Sequence, residues 1–331
     1  MGALTFTPSG IYCAAGDFFI DPWRPVDRAL ITHGHADHAR PGMGAYLATD
    51  LAAPVMRHRL GDITLDTIRY GEARQIGGAT VSFHPAGHVP GSAQIRVEVA
   101  GEVWVASGDY KVVDDGLSTP FEPVTCHHFI TESTFGLPVF RWQPQDAIAA
   151  ELNSWWAVCA AAGKTAFLGC YALGKAQRLL TLLNPDQGPI LTHSAVENTN
   201  AVLRAQGLAL PDTVRADAEL NPKDHPGAIV LCPPSAIGSA WARKFGPQET
   251  GFASGWMALR GIRRRRAGDR GFVISDHADW PGLLEAIRAT GAENVYVTHG
   301  YTDIFSRFLT DNGWSAQVVP TEFGGEEEDA A

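Results

Sequence analysis

Cysteine is scarce and scattered in this chain: Cys13, Cys126, Cys159, Cys170 and Cys232 make five, an odd number with no C-x-x-C pair among them. That spacing excludes a disulfide framework and a thiolate zinc site, and predicts buried free thiols. Long apolar runs are missing as well. No stretch approaches the roughly 20 apolar residues of a membrane span, and "MGALTFTPSGIYC" has neither the basic segment nor the apolar length of a signal peptide, so a cytoplasmic protein without a membrane partner is expected. Basic residues are not in excess: 26 Lys and Arg stand against 36 Asp and Glu, for a formal charge of -10. A ligand feels the local field rather than the average, so this does not exclude a polyanionic partner. Four acidic residues, Glu326 to Asp329, sit in the tail "GGEEEDAA", 324–331, which is expected to be disordered, while "LRGIRRRRAGDR" sets six arginines between Arg260 and Arg270.

What remains is an ordinary globular composition. At 331 residues and 45% hydrophobic content the chain can bury a substantial core, as two domains or as one domain with a large insertion. Its first 140 or so residues read as short strands between Gly/Pro turns, among them "AQIRVEV", where Ala93, Ile95, Val97 and Val99 alternate with polar residues. From about Pro144 helix-like segments such as "QDAIAAELNSWWAVCAAAG" and "GKAQRLLTLL" interleave with the short apolar strands "TAFLGC", "PILTH" and "GAIVLCPP". That alternation predicts an α/β fold class.

The stretch "ALITHGHADHA" crowds His33, His35, Asp37 and His38 directly behind an apolar strand. Packing does not explain such a run. His33 and His35, two apart in an extended turn, can point the same way, while Asp37 and His38, at the start of a following helix, face a neighbouring volume; this suits two adjacent divalent ions. Four ligands cannot complete two such sites. Three more candidates stand at the ends of apolar strands: His88 in "FHPAGHVPGS", Asp109 in "VWVASGDY" and His299 in "VYVTHGY". Alone, His88 or Asp109 reads more readily as a hydrogen-bonded turn residue; in the company of the first four, each becomes a metal-ligand candidate.

H-x-H-x-D-H, a later His, an Asp in "SGDY" and a final His together resemble the metallo-β-lactamase superfamily. "TESTFG", "FLGCYALGKAQRLL", "ISDHADW" and "VTHG" resemble its β-CASP branch of nucleic-acid nucleases, over essentially the entire chain. The resemblance implies an αββα sandwich formed by 1–144 and 269–331, with 145–268 inserted as an α/β β-CASP cap. It implies that His33, His35 and His88 hold one metal, that Asp37, His38 and His299 hold the other, and that Asp109 bridges them. Asp21 in "FFIDPW" would orient a ligand from behind, and Glu132 and His277 match motifs distinctive of the branch; with Asp37 these form the expected catalytic group. Within the branch, "WRPVDRALITHGHADHA", "FASGWMALRGIRRRR" and "ISDHADW" are most similar to bacterial exonucleases associated with DNA ligase genes, which implies DNA as partner and a functional link to a ligase and a helicase. Histidine at position 299 is also what RNA-processing members carry, so RNA stays open.

"GCYALGKA" follows a strand and opens a helix, and Gly169 with Gly174-Lys175 fits G-x-x-x-x-G-K. Ala176 stands where a nucleotide-binding loop needs a magnesium-binding hydroxyl, so nucleotide hydrolysis is excluded. Phosphate contact by the helix N-terminus with Lys175 and Arg178 remains as a weaker expectation beside a plain turn. Arg260, Arg263, Arg264, Arg265 and Arg266 are read as phosphate-binding in preference to a solvated charged face, and Trp241, Phe245 and Trp256 as base-stacking candidates or core. No metal role is assigned to His58, His84, His127, His128, His193 or His225.

The chemistry expected is hydrolysis of a phosphodiester by water activated between two divalent ions, zinc by ligand type with manganese as the alternative. His277 would protonate the leaving oxygen and Glu132 would hold its ring. A DNA exonuclease acting in repair leads the expectations. Beside it stand an RNA-processing nuclease of the same branch, a small-molecule metallo-hydrolase and a non-enzymatic scaffold. The long insertion and the arginine cluster disfavour the small substrate, and the full ligand set disfavours the scaffold.

Overall fold

Alternating side chains in the first part of the chain do bury one face of a sheet. In the strand Ala93–Val99, Ala93, Ile95 and Val97 are fully buried, while Arg96 and Glu98 are half-buried. Gln94, on the face expected to be polar, is buried too, and its amide donates to the carbonyls of Pro85 (3.0 Å) and Glu122 (2.7 Å). The computed structural model of the chain describes residues 2–259, 261, 270–319 and 321. Arg260, Arg263 to Arg266 and the acidic tail 324–331 lie outside the described residues.

The fold is α/β, in two compact units: residues up to Arg141 with those from His277 on, and Trp142–Asp276. The first unit holds a pair of sheets. One has six strands, in spatial order Thr5–Thr7, Gly10–Cys13, Phe18–Ile20, Arg28–Leu30, Ala45–Thr49 and Leu65–Ile68. The other has seven, in order Ser315–Val318, Asn294–Gly300, His128–Ser133, Glu102–Ala106, Ala93–Val99, Ala79–Pro85 and Ala73–Ile76. Between them lies a core of Ile11, Phe18, Leu30 and Leu47 from one sheet and Val81, Phe83, Ile95 and Trp104 from the other. The outer face of the six-stranded sheet packs Ala29, Ile31 and Ala48 against Met56 of helix Ala53–Leu60. On the outer face of the seven-stranded sheet, Val105, Phe129 and Val297 meet Leu283 and Ile287 of helix Trp280–Thr290 and Phe305 of helix Thr302–Asp311. The sequence marks the first of these two helices at both ends. Asp279 accepts from Gly282 N (3.0 Å) as N-cap, Pro281 sits in the first turn, and Gly291, at φ 66, closes the helix in the left-handed region.

The second unit is a six-stranded sheet with parallel neighbours throughout, in order Val214–Arg215, Ile190–Thr192, Ile229–Cys232, Thr165–Gly169, Gln248–Ala253 and Arg270–Phe272. Its central strands read as near-continuous apolar runs because both faces are covered. Leu168 and Ile229 pack with Leu152, Trp156 and Leu179 on one side; Phe167 and Val230 pack with Ala242 and Phe245 on the other. The expected insertion ended at 268, but the strand Arg270–Phe272 pairs with Gly251–Ala253 in this sheet, and the unit runs on to Asp276. All five cysteines are free and buried, and among the described residues no helix is long and apolar enough to cross a membrane.

Candidate metal centre

The first unit carries its chemistry at the ends of strands. Strand Arg28–Leu30 leads into Thr32–His38, where the sequence suggested a following helix. Instead there is a single turn, closed by Ala39 N donating to His35 O (2.9 Å) and followed at once by Pro41, which lacks the amide a growing helix needs. His88 follows strand Ala79–Pro85, Asp109 follows Glu102–Ala106, and Glu132 and His299 close the adjacent parallel strands His128–Ser133 and Asn294–Gly300.

The pairing of these two strands shifts register between Glu132 and Ser133, which leaves His299 as the extra, unpaired residue of a bulge. His299 has φ 53 and Gly300 φ 73, and a Cβ on Gly300 would come within 2.4 Å of Ser133 O, so glycine is required there. Ser133 Oγ fastens the bend, its one proton shared between Thr298 O (3.1 Å) and His299 O. Asp21 is the other residue of the centre in the left-handed region, at φ 41.

The seven expected ligands converge. His35 Nδ1 lies 3.1 Å from His33 Nε2 and 3.1 Å from His88 Nε2. Asp109 Oδ2 lies 3.5 Å from His33 Nε2, 3.8 Å from His88 Nε2 and 3.4 Å from His38 Nε2. His38 Nε2 is 3.5 Å from Asp37 Oδ2, and His299 Nδ1 is 3.8 Å from Asp109 Oδ1. Ligand atoms about 2.0–2.1 Å from a tetrahedral zinc stand roughly 3.3 Å apart, so these spacings suit shared cations. Asp109 supplies an independent test. Its Oδ1 is buried and accepts no hydrogen bond among the described residues, a situation a carboxylate oxygen tolerates when a cation faces it. Grouped by reach, His33, His35, His88 and Asp109 could hold one ion and His38, Asp109 and His299 another, with Asp37 beside His38.

Electrostatics favour the same reading. Burial lowers the His33 pKa well below the ordinary imidazole value, and lowers that of His299 to about 4, so both are neutral at pH 7 with a lone pair to offer. Burial also opposes ionisation of Asp109, but the imidazoles of His38, His277 and His33 hold its carboxyl well below the usual range. Burial opposes charge on His38 too; Asp37, Asp109 and Asp21 outweigh it and raise its pKa well above normal. A proton there is what a bound cation would displace.

On the rim of the cluster, His277 Nδ1 and Glu132 Oε2 are 2.8 Å apart, and Glu132 Oε1 accepts from Tyr110 N (2.8 Å). The His277 ring centre lies 4.5 Å from that of His88. Behind the cluster, Asp21 Oδ2 is 2.7 Å from His38 Nδ1, and its Oδ1 accepts from Thr32 N (2.8 Å). Sequence reading missed Thr32 and Ser133. Their only signals are the threonine just before H-x-H and the serine just after Glu132 in "TEST".

Lys175 and Arg178 are buried in the second unit, with Lys175 Nζ 3.8 Å from Asp276 Oδ2, Arg178 Nη1 3.6 Å from Asp276 Oδ1, and Arg178 Nε donating to Gln145 Oε1 (3.0 Å). The helix Lys175–Leu182 has no open amide cradle at its start. Gly174 N donates to Gln177 Oε1 (2.7 Å), Lys175 N to Leu173 O (3.2 Å) and Ala176 N to Tyr171 O (3.0 Å). Phe245 is core and Trp241 packs against it, its Nε1 donating to Ala216 O (2.7 Å); Trp256 is half-buried in the 3-10 turn Gly255–Ala258. Four of the six remaining histidines serve locally: His127 Nδ1 accepts from Val103 N, His193 Nδ1 caps helix Ser194–Ala205, His84 meets Ser82, and His128 stacks on Trp104.

No family model matches the chain. A probable DNA ligase of Opitutus terrae is 28% identical over 94% of this chain and 30% of its own length. An endoribonuclease YSH1 of Kluyveromyces lactis is 24% identical over 73% of this chain and 39% of its own, and a ribonuclease TTHA0252 of Thermus thermophilus is 30% identical over 36% of this chain and 34% of its own. The chain thus spans about a third of the length of these curated relatives. A crystal structure of a protein of unknown function from Enterococcus faecalis superposes with a TM-score of 0.59 at 10% identity, covering 90% of this chain and 80% of that one, which shows a shared fold. With the H-x-H-x-D-H turn, the later His, Asp and His at strand ends, and these relatives in view, the chain is similar to the metallo-β-lactamase superfamily and to its β-CASP branch.

Proposed function

We propose that the chain is a metal-dependent nuclease that hydrolyses phosphodiester bonds of DNA from an end, with residues 142–276 as its β-CASP cap domain and the first unit as its αββα core. The observation that carries the reading is the convergence of seven imidazoles and carboxylates, Asp109 among them, with the Glu132–His277 pair at their edge. His33, His35 and His88 would hold one divalent ion, Asp37, His38 and His299 a second, and Asp109 would serve both; zinc suits the nitrogen-rich set and manganese is the alternative. Bound there, such ions lower the pKa of water to roughly 7 and neutralise charge on phosphoryl oxygens. His277, its Nδ1 held by Glu132, presents Nε2 as the nitrogen that hands a proton to the leaving oxygen. Tyr110 N keeps Glu132 in place for that task.

DNA is favoured because a relative aligned over 94% of this chain is named a probable DNA ligase; work beside a ligase, and with it a helicase, in repair in the cytoplasm is part of the same proposal. Relatives named endoribonuclease and ribonuclease support RNA as the second reading. The deciding experiment follows strands labelled at either end, as DNA and as RNA, with zinc or manganese and with a chelator. Metal-dependent shortening of DNA from one end is expected. Internal cuts in RNA alone would favour the second reading, and intact polymers of both kinds with metal bound would remove both.

A further inference from the structure

The buried hydroxyl of Thr32 stands between the two halves of the metal cluster. Its Oγ1 lies 2.5 Å from Asp21 Oδ2, 3.1 Å from His33 Nδ1 and 3.4 Å from His38 Nδ1, and the residue is 1% exposed. A hydroxyl has one proton to give. The carboxylate, nearest and charged, takes it, so Oγ1 is left to accept from His33 Nδ1, and that ring must carry its proton on Nδ1. His38 Nδ1, 2.7 Å from the same carboxylate oxygen, donates there directly. Both rings therefore turn Nε2, the nitrogen left to meet a cation, toward Asp109, at 3.5 Å for His33 and 3.4 Å for His38.

We propose that Thr32 is a positioning residue that lets one carboxylate, Asp21, fix the tautomer of a histidine in each metal subsite. The inference rests on the metal-centre reading above and adds how its two halves are set together. The chain also makes room for this hydroxyl. Gly108, at φ 56 just before Asp109, could carry no side chain, because a Cβ would stand 2.6 Å from both Thr32 Cβ and Oγ1. The same glycine that admits Thr32 thus leads into the shared carboxylate.

The test compares wild type, Thr32→Val and Thr32→Ser by zinc competition against a chromophoric chelator and by nitrogen-15 correlation spectra of the imidazoles in metal-free protein. Valine keeps the shape and removes the hydroxyl. Zinc affinity is expected to fall about 10–100-fold in Thr32→Val, in line with loss of a group behind a ligand, and to be restored by serine. The metal-free wild-type spectrum is expected to show His33 protonated on Nδ1. Thr32→Val that folds and binds zinc within about twofold of wild type would overturn the proposal. So would a wild-type spectrum with the His33 proton on Nε2, a readout that stands even where the valine variant does not fold. Wild type that shows the expected tautomers yet binds no zinc would instead overturn the metal reading, leaving the hydrogen-bond assignment intact.

Discussion

Each unit buries a cluster of ionisable side chains, and the two clusters are built on opposite plans. In the second unit Lys175 and Arg178 flank Asp276, so opposite charges meet inside the protein and need nothing from outside. In the first, three imidazole nitrogens and a carboxylate oxygen from His33, His35, His88 and Asp109 face one another, and each nitrogen is an acceptor when its neutral ring carries the proton on the other side. Burial makes both arrangements expensive unless compensated. A cation would compensate the first cluster, while the second pairs its own charges, and that difference separates a candidate site from a structural ion cluster when both look like motifs in the sequence.

The strongest way to break this contrast is to remove one ligand from the acceptor cluster. His35→Ala is expected to lose metal by elemental analysis and to lose nuclease activity by on the order of 10³-fold or more, several kcal/mol of transition-state stabilisation, while remaining folded. Retention of full metal content would place His35 outside the centre. Asp276→Ala tests the other side. It leaves Lys175 and Arg178 buried beside an empty position and should destabilise by roughly 3–5 kcal/mol in denaturant unfolding, with the same loss in the presence and absence of a chelator. A chelator-dependent loss would show that the two clusters do not differ as described. His277→Ala sharpens the contrast within the first unit. Both metals should stay bound while the rate falls by about 10²-fold, and wild-type speed would remove the proton-donor role.

The smallest effect concerns Glu197. Burial raises its pKa, but the hydroxyls of Thr192 and Thr213, Asn200 and Arg204 bring it below the ordinary value. A depressed carboxylate stabilises the fold above its unfolded pKa of about 4.3 and loses that contribution as pH falls through the lower folded value. Glu197→Gln should therefore cost about 1 kcal/mol at pH 7, with the gap to wild type closing under acid, as read from melting curves at stepped pH. A gap independent of pH would show that the charge contributes nothing.

Much of the centre was legible because its ligands are either crowded, as in His33 to His38, or placed at the ends of apolar strands beside glycine, as at "SGD" and "THG". Thr32 and Ser133 were not, because a buried hydroxyl looks like any other until its partners are in space. Lys175 and Arg178 misled for a physical reason. A lysine opening a helix after a glycine loop looks exposed, but here all of Lys175 to Leu180 are buried, so the segment shows no polar face that would have corrected the expectation. Trp241 and Phe245 joined the core, as aromatic residues commonly do. The end of the second unit escaped as well. "RGF" is too short and too polar to announce the edge strand Arg270–Phe272.

Elemental analysis of the purified chain, dialysed against zinc at concentrations near its own, tests the central claim most directly. A pair of ions per wild-type chain, reduced in Asp109→Ala and in His35→Ala, is the predicted result. A folded wild-type protein that takes up no zinc and no manganese would contradict the account.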